Sequence, residues 1–238
     1  RKAPDAYALL IVVALIGLQT NGIAIGPASI ITTLPFLMIP LLLAESFRNP
    51  SFQIVVPGLM FFAVLLLLLD IPYLAAPHGY DPLRFIINFI STLKAVLVAF
   101  LFVNLIRTES HLALAIRTFM IIAFISASIG VLQILLHLYA GITINFASEA
   151  AEWKPTFLAL SLRATGLTTW ASWLADFLVL ALPFMLFRLF NARSFRWRSI
   201  YLFAILVLLA AIFLTFTYAA YFAVVAIFVM FPFLYWPR

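Results

Sequence analysis

The stretch SIYLFAILVLLAAIFLT, residues 199–215, carries no charged side chain. After a short break at Phe216-Thr-Tyr218, AAYFAVVAIFVMFPFLY, residues 219–235, carries none either. Runs this long and continuous match helices of about 20 residues crossing a hydrocarbon core. A barrel strand is shorter and alternates apolar with polar residues. The two runs therefore read as a helical hairpin turning near Thr217.

The same reading, carried outward, places six earlier spans at 6–25, 28–44, 52–69, 85–106, 117–139 and 171–189. Pro35 and Pro40 mark the second as kinked or tilted, and Pro57-Gly58 interrupts the third. The expected fold is all-α: a polytopic transmembrane helical bundle of about eight spans forming one domain over 1–238. Composition agrees. Of 238 residues, 66% are hydrophobic and 9% charged, against about 25% charged in an ordinary soluble domain. Too little polar surface exists to cover a water-soluble globule. Arg1 and Lys2 precede the first span as in a signal peptide, but that span is too long for such an apolar core and seven more follow.

The net charge of +6 comes from single residues scattered between apolar runs. It reads as topology, and no nucleic-acid partner is expected. With the N-terminus inside, the cytoplasmic segments hold Arg1, Lys2, Arg48, Arg107, Arg117, Arg188, Arg193, Arg196, Arg198 and Arg238. The outer segments hold Arg84, Lys154 and Arg163. Lys and Arg are retained on the cytoplasmic side, so both termini are expected inside. The cluster Asn191-Ala-Arg-Ser-Phe-Arg-Trp-Arg198 reads as a cytoplasmic anchor in contact with anionic lipid. Trp153, Trp170, Trp173, Trp197 and Trp236 fall in loops or at span ends, as an interfacial aromatic belt does. There is no cysteine, which excludes disulfides and thiolate catalysis. The chain starts with Arg, so it is expected to be a segment of a longer protein.

Two outer loops are long enough for chemistry. The first, 70–84, holds His78, Asp81 and Arg84; the second, 141–170, holds Glu149, Glu152, Lys154 and Arg163. No P-loop, dinucleotide fingerprint, His-Glu-x-x-His or Gly-x-Ser-x-Gly motif is present. The three histidines lack metal-ligand spacing, so no metal is expected. His111 reads as a solvated loop residue, and His137 as a partner for a neighbouring helix. His78, the one outer-loop histidine, is a weak candidate base.

Ionisable groups inside a span are costly and informative. Lys94 lies about 13 Å and Asp176 about 7 Å from the outer ends of their spans, at about 1.5 Å per residue. A Lys94–Asp176 pair reads either as a structural ion pair between helices or as a cavity for an anionic head group. Arg84 reads as interfacial snorkelling or as a supporting phosphate contact. Arg163 reads as an ordinary loop charge or as an anion ligand, because a guanidinium presents a planar fork and stays charged.

Arg163-Ala-Thr-Gly-Leu, a span ending in Leu182-Pro-Phe184, the basic loop 193–198 and the turn Leu214-Thr-Phe-Thr-Tyr-Ala-Ala220 follow one another. This order resembles bacterial O-antigen ligases and O-antigen polymerases. About 60 residues carry the likeness. The family's arginine in the second turn is replaced here, where Thr217-Tyr218-Ala219 stands, and its Asn after the Arg-x-x-Gly segment is not evident in Thr168-Thr-Trp-Ala-Ser-Trp173. The resemblance implies a membrane glycosyltransferase of the bacterial inner membrane in polysaccharide or lipopolysaccharide biosynthesis. It would take a glycan from a polyprenyl-diphosphate carrier on the periplasmic side and pass it to lipid A-core or a growing polysaccharide. The partners implied are the lipid bilayer, the lipid-linked glycan and a lipid or glycan acceptor, with no cofactor. It also implies a large periplasmic loop with a basic His beyond residue 238. Arg163 would bind diphosphate, with Arg84, Lys94 and Asp176 near it. The competing readings are a transporter or lipid flippase with a cavity at Lys94 and Asp176, and a non-catalytic assembly subunit.

Overall fold

The computed structural model describes residues 6–19, 100–144, 162–168 and 170–235, with single positions at 40, 44, 47 and 54. Among them every regular element is an α-helix: α1 (Ala6–Gln19), α2 (Glu109–Ala140), α3 (Ala171–Asn191), α4 (Phe195–Leu214) and α5 (Tyr218–Tyr235). A short helical segment also covers 100–105. The chain divides into two compact units, Arg1–Ala14 with Thr33–Leu114, and Leu15–Thr32 with Ala115–Arg238.

Three described helices, α2, α3 and α4, are long and apolar enough to cross a membrane; α5 and α1 contain shorter apolar helices. At about 1.5 Å per residue, the 21 residues of α3 and the 20 of α4 each reach roughly 30 Å, the thickness of a hydrocarbon core. The 32-residue α2 is longer and has length to tilt or to project. Its start at Glu109 lies well before the expected Arg117. The second and third expected spans, and most of the fourth, lie outside the described residues.

In the first unit, polar side chains close helix ends. Asn104 is fully buried and donates from Nδ2 to Phe100 O at 2.9 Å. Arg107 Nε donates to Asn104 O at 2.8 Å, which satisfies a carbonyl that the helix end leaves unpaired. Thr108 caps α2: its Oγ1 accepts from His111 N at 3.2 Å, and Glu109 follows in the first turn, where a negative charge suits the helix dipole. His111, expected to be solvated, is instead buried at 7% exposure. It packs 6.0 Å from the Tyr7 ring, and its Nδ1 accepts from Arg107 N at 3.5 Å. The helix continues through the loop that hydropathy suggested, and it carries the imidazole inward.

In the second unit, α3 buries Ala171, Leu174, Ala175, Leu178, Ala181, Leu182, Met185 and Leu186. This spacing of three and four is one helical face. It meets Ala204, Ile205, Leu208, Ala211 and Ile212 of α4 and Ala123 and Ala127 of α2 in one core. Alanines there let backbones approach closely, as membrane helix contacts require. The outward faces are just as apolar: Leu180 is 64% exposed, Phe203 60% and Leu206 56%. A helix apolar on both its inward and outward sides is suited to lipid rather than water. Pro183 inside α3 has no N–H for the bond back to Val179, a loss that helices packed in a membrane tolerate.

α3 ends at Asn191, whose Nδ2 donates to Phe187 O at 2.8 Å. Ser194 starts α4 by accepting from Trp197 N at 3.4 Å, and Arg198 Nε donates to Ala192 O at 2.8 Å. The expected hairpin turn between the last two spans is present as Thr215-Phe216-Thr217. Phe216 has φ +51°, the left-handed conformation that commonly ends a helix and that glycine usually supplies.

Candidate functional site

Between α2 and α3, the segment 162–168 returns through apolar surroundings without regular structure. Its backbone groups need partners, because little water reaches them. One glutamine supplies three of them. Gln133 of α2 is 2% exposed. Its Oε1 accepts from Gly166 N at 2.9 Å and from Thr165 N at 3.2 Å. Thr165 Oγ1 also donates to that oxygen at 3.4 Å, and Gln133 Nε2 donates to Gly166 O at 3.3 Å. Two turns earlier on the same helical face, buried Ser126 accepts from Leu167 N at 3.2 Å through Oγ. Thr168 closes the turn: its N–H donates to Thr165 O at 3.0 Å, and its hydroxyl lies 2.7 Å from the same oxygen and 2.8 Å from Trp170 O.

Gly166 makes this docking possible. Its φ is +57°, and a Cβ there would stand 2.6 Å from Ser126 O. Gly130 of α2 also faces the segment; a Cβ on it would meet Leu174 at 3.2 Å and Ala164 at 3.4 Å. The Arg-x-x-Gly pattern is therefore a packing pattern in its last position: only glycine lets the loop lie against α2.

Its first position reaches the other way. Arg163 is half-buried. Its Nε donates to Thr215 O at 2.6 Å, and its Nη2 lies 3.4 Å from Phe216 O and 3.2 Å from Thr217 Oγ1. Ala164 N donates to Leu214 O at 3.0 Å. The guanidinium thus sits at the C-terminal end of α4, where unpaired carbonyls carry partial negative charge. Thr215 is fully buried, so its carbonyl needs this partner. Tyr221 adds a second clasp, its hydroxyl donating to Phe213 O at 2.6 Å. The result is a cation held against a helix end with the hydroxyl of Thr217 beside it. Such a group can bind an anion that competes for the longer Nη2 contacts while the short Nε bond keeps the guanidinium in place.

The other expected site residues are not brought to this turn within the described structure. Asp176 is exposed on α3, between Ala175 and Leu178 of its buried face. Arg84, Lys94 and His78 lie outside the described residues, and with them the Lys94–Asp176 pair. His137, expected to meet a neighbouring helix, has Nδ1 3.3 Å from Thr143 Oγ1 just past the end of its own helix. Gln133 and Ser126 were not expected at all. The signal for them is two uncharged polar residues seven apart on one face of an apolar span, the pattern by which membrane helices bond to neighbours.

Gln133→Leu keeps the volume and removes every one of these bonds. Two buried backbone N–H groups then lose their acceptor, at about 1–3 kcal/mol each. Bonds between membrane segments average nearer 0.6 kcal/mol. The expected loss is about 2–3 kcal/mol, seen as a lower unfolding temperature in detergent. An unchanged temperature would show that Gln133 does not hold the loop.

Comparison with protein-family models, with curated proteins and with solved structures finds no match to this chain.

Proposed function

We propose that this chain belongs to a multi-span glycosyltransferase of the bacterial inner membrane, of the O-antigen ligase or polymerase type. It would have about eight spans in this segment and both termini in the cytoplasm. One observation carries the reading. The two short segments that bear the resemblance, Arg163-Ala-Thr-Gly and Leu214-Thr-Phe-Thr-Tyr, are joined in space by Arg163, which reaches across 52 residues to Thr215 and 54 to Thr217. Two motifs of one site are expected to meet in this way, and two chance matches are not.

In the reaction, the bond from the anomeric carbon of the glycan to the diphosphate oxygen breaks, and its electron pair leaves with the polyprenyl diphosphate. A new bond forms from that carbon to an acceptor hydroxyl, which gives up its proton. Negative charge grows on the leaving diphosphate, and a fixed guanidinium at a membrane-level turn is suited to stabilise it. Arg163 supplies that cation, and Thr217 supplies a hydroxyl beside it.

The orientation is tested by single cysteines, since the native chain has none. Ile142 is 51% exposed at the end of α2, and Ser194 is exposed between α3 and α4. In intact cells a membrane-impermeant thiol reagent labels Ile142→Cys and spares Ser194→Cys. The reverse pattern would put the Arg163 turn in the wrong compartment for periplasmic transfer. The activity is tested by supplying the purified full-length protein with a polyprenyl-diphosphate glycan and an acceptor, and measuring polyprenyl diphosphate released.

A further inference from the structure

At the end of the helices where Ser194 lies, two hollows share a wall. One, of about 250 Å³, is an apolar groove between α2 and α4, with Met120 and Phe124 on one side, Ile200 and Phe203 on the other, and Arg117 in its lining. The second, of about 240 Å³, is lined by Arg188, Asn191 and Ala192. Trp197 and Tyr201 line both, their rings 6.2 Å apart and tilted by 31°. Arg117 and Arg188 are exposed. Arg193, Arg196 and Arg198 lie in the same turn and first helical residues. No Asp or Glu occurs anywhere in 110–148 or 177–238, so no acid in those segments neutralises these cations.

We propose that this pair of hollows is a binding site for an anionic phospholipid, with its phosphate between Arg117 and Arg188 and one acyl chain in the groove along α2 and α4. A general basic anchor would attract any negative surface. The groove adds a place for a chain beside the charge, and Trp197 stands where a head group and a chain meet. An acyl chain gains little by moving from lipid into an apolar groove, since both surroundings are apolar. Selection must therefore come from the head group, and the site discriminates by charge. A soluble anion without an acyl chain is not held at the membrane surface and binds weakly. The inference is independent of the glycosyl-transfer reading, because it uses neither Arg163 nor its turn.

The test uses the purified full chain in detergent, titrated with brominated-chain phosphatidylglycerol or brominated-chain phosphatidylcholine. Bromine quenches nearby indole fluorescence. Phosphatidylglycerol is expected to quench at lower concentration than phosphatidylcholine, and Trp197→Phe to remove that preferential component. Each of Arg117→Gln and Arg188→Gln is expected to weaken phosphatidylglycerol binding about fivefold. Ile200→Phe, at a residue 44% exposed, fills the groove, keeps every arginine and adds no indole; shutting out the chain shifts the phosphate from between Arg117 and Arg188, so the variant is expected to weaken binding as well. Equal quenching by the two lipids would overturn the site. Native-like binding by Ile200→Phe would also overturn it, leaving only diffuse charge attraction.

Discussion

Gly166→Ala unfolds the loop from α2. The expected loss is about 2–5 kcal/mol. Two causes add. A left-handed residue with a Cβ costs roughly 1–2 kcal/mol, and overpacking a close contact costs about 1–3 kcal/mol more. The overlap is with backbone: the new Cβ would stand 2.6 Å from Ser126 O, 2.7 Å from Ser126 Oγ and 3.0 Å from Leu174 Cδ1. A side chain can rotate away; a carbonyl inside a helix cannot. Ser126→Ala removes the hydroxyl and leaves the carbonyl, so it does not rescue Gly166→Ala. Once the loop lifts, Gln133 loses its partners and Arg163 loses its aim at the end of α4. Unfolding temperature in detergent and yield from membranes read the effect. A Gly166→Ala protein as stable as the native one would remove the basis for the docked loop.

Arg163→Lys is expected to reduce glycan transfer about tenfold to a hundredfold, from charge-assisted bonding on the order of 1.5–3 kcal/mol. Lysine keeps the charge and loses the fork. It has no Nε donor for Thr215 O and no second edge for Thr217. Arg163 also ties the helix end, so the variant is less stable as well, and transfer has to be measured per folded protein. Thr217→Val separates the two roles. It removes the contact at 3.2 Å and a longer hydroxyl bond to Thr215 O at 3.5 Å, and leaves the Nε bond at 2.6 Å, so the main tie on the helix end stays while the hydroxyl beside the guanidinium is gone. A role limited to holding the helix end predicts native transfer by folded Arg163→Lys. A role in diphosphate binding predicts the loss even in the folded fraction.

Much of the second unit was legible from hydropathy. The spans expected at 171–189, 199–215 and 219–235 lie close to α3, α4 and α5, because a long apolar run has to be helical in lipid. The differences at their ends have local causes. α4 starts four residues early because Ser194 caps it. It stops at Leu214 because Phe216 turns left-handed and Arg163 takes the Thr215 carbonyl. α2 starts at Glu109 because Thr108 caps it; hydropathy marks where lipid ends, and backbone hydrogen bonding continues past that point. Arg163 was legible as a special residue, and its attachment to a helix end 52 residues away was not. Gln133 and Ser126 were illegible for the same reason: a long-range polar contact leaves no periodicity in the chain. Their only trace is polarity where an apolar residue would cost less.

The most direct measurement is turnover of the donor in proteoliposomes. Purified full-length protein, a polyprenyl-diphosphate glycan and an acceptor are expected to yield polyprenyl diphosphate and an equal amount of elongated or ligated glycan. Arg163→Lys is expected to slow both together, per folded protein. Movement of the intact lipid-linked glycan across the bilayer, with no polyprenyl diphosphate released, would contradict glycosyl transfer and identify a flippase instead.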